Sequence, residues 1–279
     1  MAAKTRAWWI AGIAVVAIGV VVVAVLTLRG RPVRRVAAQP TPVPLPTATP
    51  APAGIPPEVT LSTSDPFVRQ VVAGVSSNPT LATWLANKDL IRRFVAAVAL
   101  VAEGKSPVSQ LSFLRPRTKF RVHKVRGHFV ASPSSFHRYD MAAEVFTSLD
   151  TAGTVEALQR LEPLIDQAYA QISRPGQRFR QALQKAIMVL LKTPSIPEGL
   201  PLKLKVLTYM YVDPRLERLS PAQRLLLRMG PANEEKVQSK LRDFAVALGI
   251  PTGALPTQVV YTRPMRRRRS ERPSAVPPR

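Results

Sequence analysis

The sequence predicts a mainly α protein: a single N-terminal transmembrane helix, a proline-rich linker, and a helical globular domain with one or two short β-hairpins. Three observations predict this. Residues 7–28 form an uncharged apolar run. Eight prolines crowd residues 36–57. From residue 58 onward apolar side chains recur mostly at spacings of three and four, with helix-start and helix-stop residues at the ends of each run.

The apolar run, AWWIAGIAVVAIGVVVVAVLTL, follows a short basic N-terminus, residues 1–6. As a helix it reaches about 33 Å at 1.5 Å per residue, enough for a hydrocarbon core of about 30 Å. Trp8 and Trp9 stand at one edge, where interfacial rings belong. The competing reading is a cleaved signal peptide, with Val36-Ala37-Ala38 as the small-residue site. That site lies beyond Arg29, Arg31, Arg34 and Arg35, a stop-transfer-like cluster that favours retention. Orientation draws opposing arguments. Four arginines after the span outnumber Lys4 and Arg6 before it, which by the positive-inside rule places the domain in the cytoplasm. A long linker and a chain without cysteine suit a domain crossing an oxidising envelope space. The expectation adopted is a bacterial inner-membrane protein with a periplasmic domain.

Residues 29–57 are basic and then proline-rich. Pro40, Pro42, Pro44, Pro46, Pro50, Pro52, Pro56 and Pro57 keep the segment extended. At about 3.1 Å per residue, residues 36–57 span roughly 70 Å. Residues 58–255 suffice for one domain, and residues 256–279 read as a basic disordered tail. The net charge is +23, of which six charges fall before residue 36 and six after residue 255.

Within the domain, Ser64 and Pro66 start a helix carrying Phe67, Val68, Val71, Val72 and Val75. Asn78-Pro79 opens a short helix that buries Leu81, Trp84 and Leu85. Leu90, Ile91, Phe94, Val95, Val98 and Val101 line the face of the next, which Gly104 and Pro107 end. FRVHKVRGHFV changes to period two around Gly127 and reads as a β-hairpin. Residues 140–150 and 152–173 read as helices, with Pro163 starting or kinking the second. Leu183, Ile187, Leu190 and Leu191 mark another helix, and residues 202–212 a second short hairpin. Ser220-Pro221-Ala222-Gln223 is a capping box opening a helix that stops at Gly230-Pro231. Val237, Leu241, Phe244, Ala245 and Leu248 face the core from a last helix, which stops at Gly249.

The strings SDPFVRQVV, NPTLATWLANKDLIRRFVAAV, SSFHRYD, PLIDQAY and LSPAQRLLLRMGP resemble a bacterial family of membrane-anchored proteins, domain of unknown function 3014. The resemblance covers roughly residues 58–250 and extends to the order of anchor, linker and domain. It implies a helical domain on a single-pass anchor. It implies no activity, because the family has no assigned active site to carry over.

The candidate contacts are cationic. Arg115, Arg117, Lys119 and Arg121, followed by Lys124 and Arg126, crowd twelve residues. Strand alternation puts Arg117, Lys119 and Arg121 on one face, near Phe120, Phe129 and Phe136. Such a patch binds anions, or it protects a sheet edge by charge. Arg29, Arg31, Arg34 and Arg35 at the anchor, and Arg266, Arg267, Arg268 and Arg269 in the tail, are candidate lipid contacts. No catalytic, cofactor-binding or metal residue is assigned. His123, His128 and His137 lack ligand spacing, and a triad from Ser134 or Ser135, His137 and Asp140 demands convergence within one short loop. Asp140 with Glu144, and Glu162 with Asp166, lie one helical turn apart but have basic neighbours that make ordinary ion pairs.

These features predict a non-enzymatic, membrane-tethered binding or scaffold module. Its partners are the lipid bilayer and an envelope protein or anionic lipid. The alternative is a cytoplasmic polyanion or nucleic-acid binder, and the third reading is a hydrolase whose site no motif announces.

Overall fold

The computed structural model describes residues 54–263 apart from Leu207. The span at residues 7–28, most of the linker, the tail beyond residue 263 and the arginines they carry lie outside the described residues. Among the described residues no helix is long and apolar enough to cross a membrane.

Helix formation follows the caps. α1 (Asp65–Val72) begins at Ser64, but the Ser64 hydroxyl donates back to the Leu61 carbonyl and does not cap the helix as expected. Asp65 instead caps α3 (Leu90–Ala102) from outside, accepting the amides of Asp89 and Leu90 at 2.9 Å each. Between them α2 (Pro79–Leu85) is capped by the Asn78 side chain. α6 (Thr151–Ala170) is capped by Asp150 and runs through Pro163, which stands exposed inside the helix. The proline removes one main-chain bond without ending the helix, because Leu158, Leu161, Leu164 and Ile165 on the opposite face are buried in the core. α7 (Phe179–Leu191), α9 (Pro221–Leu227) and α10 (Pro231–Ala247) supply the rest of the bundle, and α5 (Asp140–Thr147) packs on α10. The expected capping box on α9 is present in both directions, Gln223 amide to Ser220 hydroxyl at 3.3 Å and Ser220 amide to Gln223 Oε1 at 3.1 Å.

α7 lies against α3, with α6 and α10 completing the bundle. Val95, Val98, Leu158, Leu183, Ile187, Leu190, Leu241 and Phe244 fill its centre and are fully buried. Phe146 meets Phe244 with ring centroids 5.8 Å apart, and Phe179 sits between Phe94 and Tyr169. Each such side chain contributes about 1.5–3 kcal/mol on burial.

Both expected hairpins form, and they join into one antiparallel sheet. β1 (Val122–Val125) and β2 (His128–Ala131) flank Gly127; β3 (Leu202–Lys205) and β4 (Thr208–Tyr211) form the second pair. Phe129 opposite Leu202 links them in the order β1-β2-β3-β4. β1 begins only at Val122, so Arg117, Lys119 and Arg121 precede the strand and alternation does not place them on one face. A short helix, α4 (Pro133–His137), leads from the sheet to α5.

The domain also extends past the expected boundary at residue 255. Ser195 donates its amide to Val259 and accepts that of Tyr261, each at 2.8 Å, as a parallel bridge. The Tyr261 hydroxyl donates to Asp213 at 2.6 Å, at the cap of α8 (Pro214–Glu217). Tyr261 thereby joins a small second core of Ile196, Leu200, Leu216 and Leu227, which seats the sheet side on the bundle.

Candidate anion-binding groove

A groove of about 560 Å³ opens between β4 and α9. Its α9 wall follows from local sequence. The capping box starts α9 at Pro221, and the Gly230-Pro231 pair ends it and starts α10. Arg224 and Arg228 therefore stand one helical turn apart on one side, while Leu225, Leu226 and Leu227 are buried. Gly230 is obligatory at this junction. Its φ is +85°, and a Cβ there would lie 2.6 Å from the Phe136 ring, which also lines the groove.

The opposite wall is β4, whose Tyr209 and Tyr211 are two apart and so share a face. Tyr209 packs against Phe120 and Phe129, with centroids 6.0 and 5.6 Å away. Arg138 closes one end. Its guanidinium donates to Ser135 O, Thr118 O and the Tyr139 hydroxyl, and stacks over Phe120 and Tyr139. Glu217 binds Arg224 at 3.0 Å with one oxygen and accepts the Tyr211 amide at 2.7 Å with the other. The Glu217 carboxylate thus covers part of the outer edge of β4 and orients Arg224 at the same time.

The electrostatics are one-sided. The lining carries Arg115, Arg138, Lys205, Arg224 and Arg228 against the single carboxylate Glu217. Arg228 has no carboxylate within ion-pair distance among the described residues. Its charge acts on both Tyr139 and Tyr211. Burial outweighs that charge and pushes both phenols above their ordinary pKa, so each stays neutral and able to donate. In α10's first turn Glu234 is fully buried, with neither carboxylate oxygen bonded among the described residues. Desolvation pushes its pKa up to about 8, so at neutral pH it holds its proton and adds little negative charge.

Guanidinium and phenol donors facing one space bind anions by charge-assisted hydrogen bonds. Of the sequence-predicted patch, Arg115 lines this groove, while Arg117, Lys119 and Arg121 are exposed and do not line it. His137 does meet Asp140, at 2.8 Å, but the Ser135 hydroxyl is engaged by the backbone of Arg121 instead. His123 reaches Ser132 at 3.2 Å. No three ionisable metal-ligand side chains converge among the described residues. Arg224, Arg228, Tyr209, Tyr211 and Glu234 were not singled out from sequence. Arg138 is one of the basic neighbours expected to pair with Asp140 and Glu144, but among the described residues it bonds Ser135 O, Thr118 O and the Tyr139 hydroxyl instead. Glu234 carried a signal, because it stands three residues before Val237 on the stripe that continues to Leu241.

Fold and groove define a small helical module with an attached antiparallel sheet and a cationic cleft between them. The family model for "Protein of unknown function (DUF3014)" matches residues 90–245, from α3 through nearly all of α10, and the chain belongs to that family. Neither a curated protein nor a solved structure matches it.

Proposed function

We propose that this protein is a membrane-tethered binding module that takes an anionic group of an envelope partner into the groove between β4 and α9, without chemistry. The observation that carries the reading is the lining itself: among the described residues, five cations, one carboxylate and the tyrosines Tyr209 and Tyr211. The sequence supports the tether, with an uncharged run at residues 7–28 followed by Arg29, Arg31, Arg34 and Arg35. The basic ends, including Arg266, Arg267, Arg268 and Arg269, add attraction to anionic lipid. The linker lets a periplasmic domain search a radius of tens of ångströms from its anchor. The reading places no nucleophile beside a base and no metal in the groove.

The test is a photo-crosslinker in place of Tyr209, in cells. The proposal expects a discrete envelope product that disappears when Arg228→Glu is added. Crosslinking to cytoplasmic nucleic acid favours the alternative orientation and partner, and a product unchanged by Arg228→Glu contradicts the groove.

A further inference from the structure

The groove uses one flank of the sheet; its free end has a different character. Phe129 stands opposite Leu202 in antiparallel register. The Arg126-Gly127 turn and the turn after Lys205 therefore lie at the same end of the sheet, with the second projecting further. Val206 at that second turn is 87% exposed, Leu204 60% and Val125 44%. Val206 has φ +51°, a conformation unfavourable for a β-branched residue. The corresponding residue of the neighbouring turn is the unbranched Arg126 at φ +49°, followed by Gly127 at φ +80°. An exposed valine at a strained turn does not serve folding, since it buries nothing.

The charge around these apolar tips has one sign. Lys124, Arg126, Lys203 and Lys205 are exposed beside them. No aspartate or glutamate occurs between Lys105 and Tyr139 or between Gly199 and Val212, the two stretches that build the sheet. Apolar tips ringed by flexible cations match the surface of an anionic bilayer: the tips enter the acyl boundary while the cations remain with the headgroups. A nucleic acid would use the cations but leave the valine and leucine in water.

We infer that the paired hairpin tips, led by Val206 and Leu204 and flanked by Lys203, Lys205, Lys124 and Arg126, dock the domain edge-on to an anionic lipid surface. The groove lies beside them and shares Lys205 with them, so the tips are tested through residues outside the groove lining.

The chain contains no cysteine, so Val206→Cys gives the full-length protein one site for an environment-sensitive fluorophore. Vesicles are phosphatidylcholine with or without phosphatidylglycerol. The inference expects a blue shift and quenching by lipid-borne nitroxides in anionic vesicles, a much smaller effect in neutral ones, and reversal by salt. A label at Ile172, exposed after α6, should stay water-like. Read from a label at Val125→Cys, Val206→Gly should weaken docking on the order of tenfold. Each of Lys203→Glu and Arg126→Glu, both outside the groove lining, should weaken it by about fivefold or more. Val206→Gly should leave the melting temperature no lower, since glycine suits the positive φ; a purely structural valine predicts unchanged docking. A water-like label at 206 in anionic vesicles, or equal burial in neutral ones, overturns the inference. Because the signal is the depth of position 206 itself, failure here leaves the anchor and the groove readings standing.

Discussion

Glu234 is the residue where fold and electrostatics conflict most directly. It is fully buried on the core stripe of α10 with no bonded partner among the described residues, and desolvation lifts its pKa to about 8. The folded chain therefore holds a proton that the unfolded chain releases near the ordinary glutamate value of 4.5. That contribution to stability is complete below about pH 4.5, declines as pH rises, and is gone above about pH 8. Glu234→Gln keeps the shape and removes the titration. It should flatten the melting temperature between pH 5 and pH 9, and stabilise the protein at pH 9 by on the order of 2 kcal/mol. An unchanged pH profile in the variant would place the effect elsewhere. Sequence spacing puts Glu234 on the buried stripe, yet spacing alone does not say whether a partner meets it. Only the packing of α10 against its neighbours settles that.

Among the elements, the segment after α10 departs furthest from expectation. Proline content and the run of basic residues make residues 256–279 read as one disordered tail. Residues 256–262 nevertheless lie on the domain through Ser195, Asp213 and Arg242. Arg215 and Tyr261 hold the Asp213 carboxyl well below the usual carboxylate range. Truncation after residue 255 removes two backbone bonds at Ser195 and the buried contacts of Tyr261, and should cost about 3 kcal/mol at neutral pH. Truncation after residue 263 should leave the denaturation midpoint unchanged. Equal midpoints for the two truncations would show that residues 256–262 contribute nothing. The helices were legible because each has local markers, such as the capping box at Ser220 and the valine stripe of α3. The joining of two hairpins into one sheet was not, since it rests on Phe129 meeting Leu202 more than seventy residues away. Likewise Ser64 has the sequence of a cap, but Asp65 does the capping, for a different helix.

On the scale of the whole molecule, the bundle serves as a rigid mount for the sheet and α9. The groove depends on that mount: Arg224 and Arg228 come from α9, Tyr209 and Tyr211 from β4, and Arg138 from the end of α4. The cluster of basic residues at 115–126 was visible in sequence, but only Arg115 of it enters the groove lining. The other groove cations are scattered along the chain and converge only on folding. The central claim is that this convergence makes an anion site. Its most direct measurement is calorimetric titration of the full-length protein in neutral-lipid nanodiscs with inorganic pyrophosphate, against Arg228→Glu. The account predicts saturable binding that weakens as salt rises and falls by at least about tenfold in the variant, with the melting temperature preserved and the pyrophosphate recovered intact. No saturable heat, or equal affinity in a well-folded Arg228→Glu protein, would contradict it.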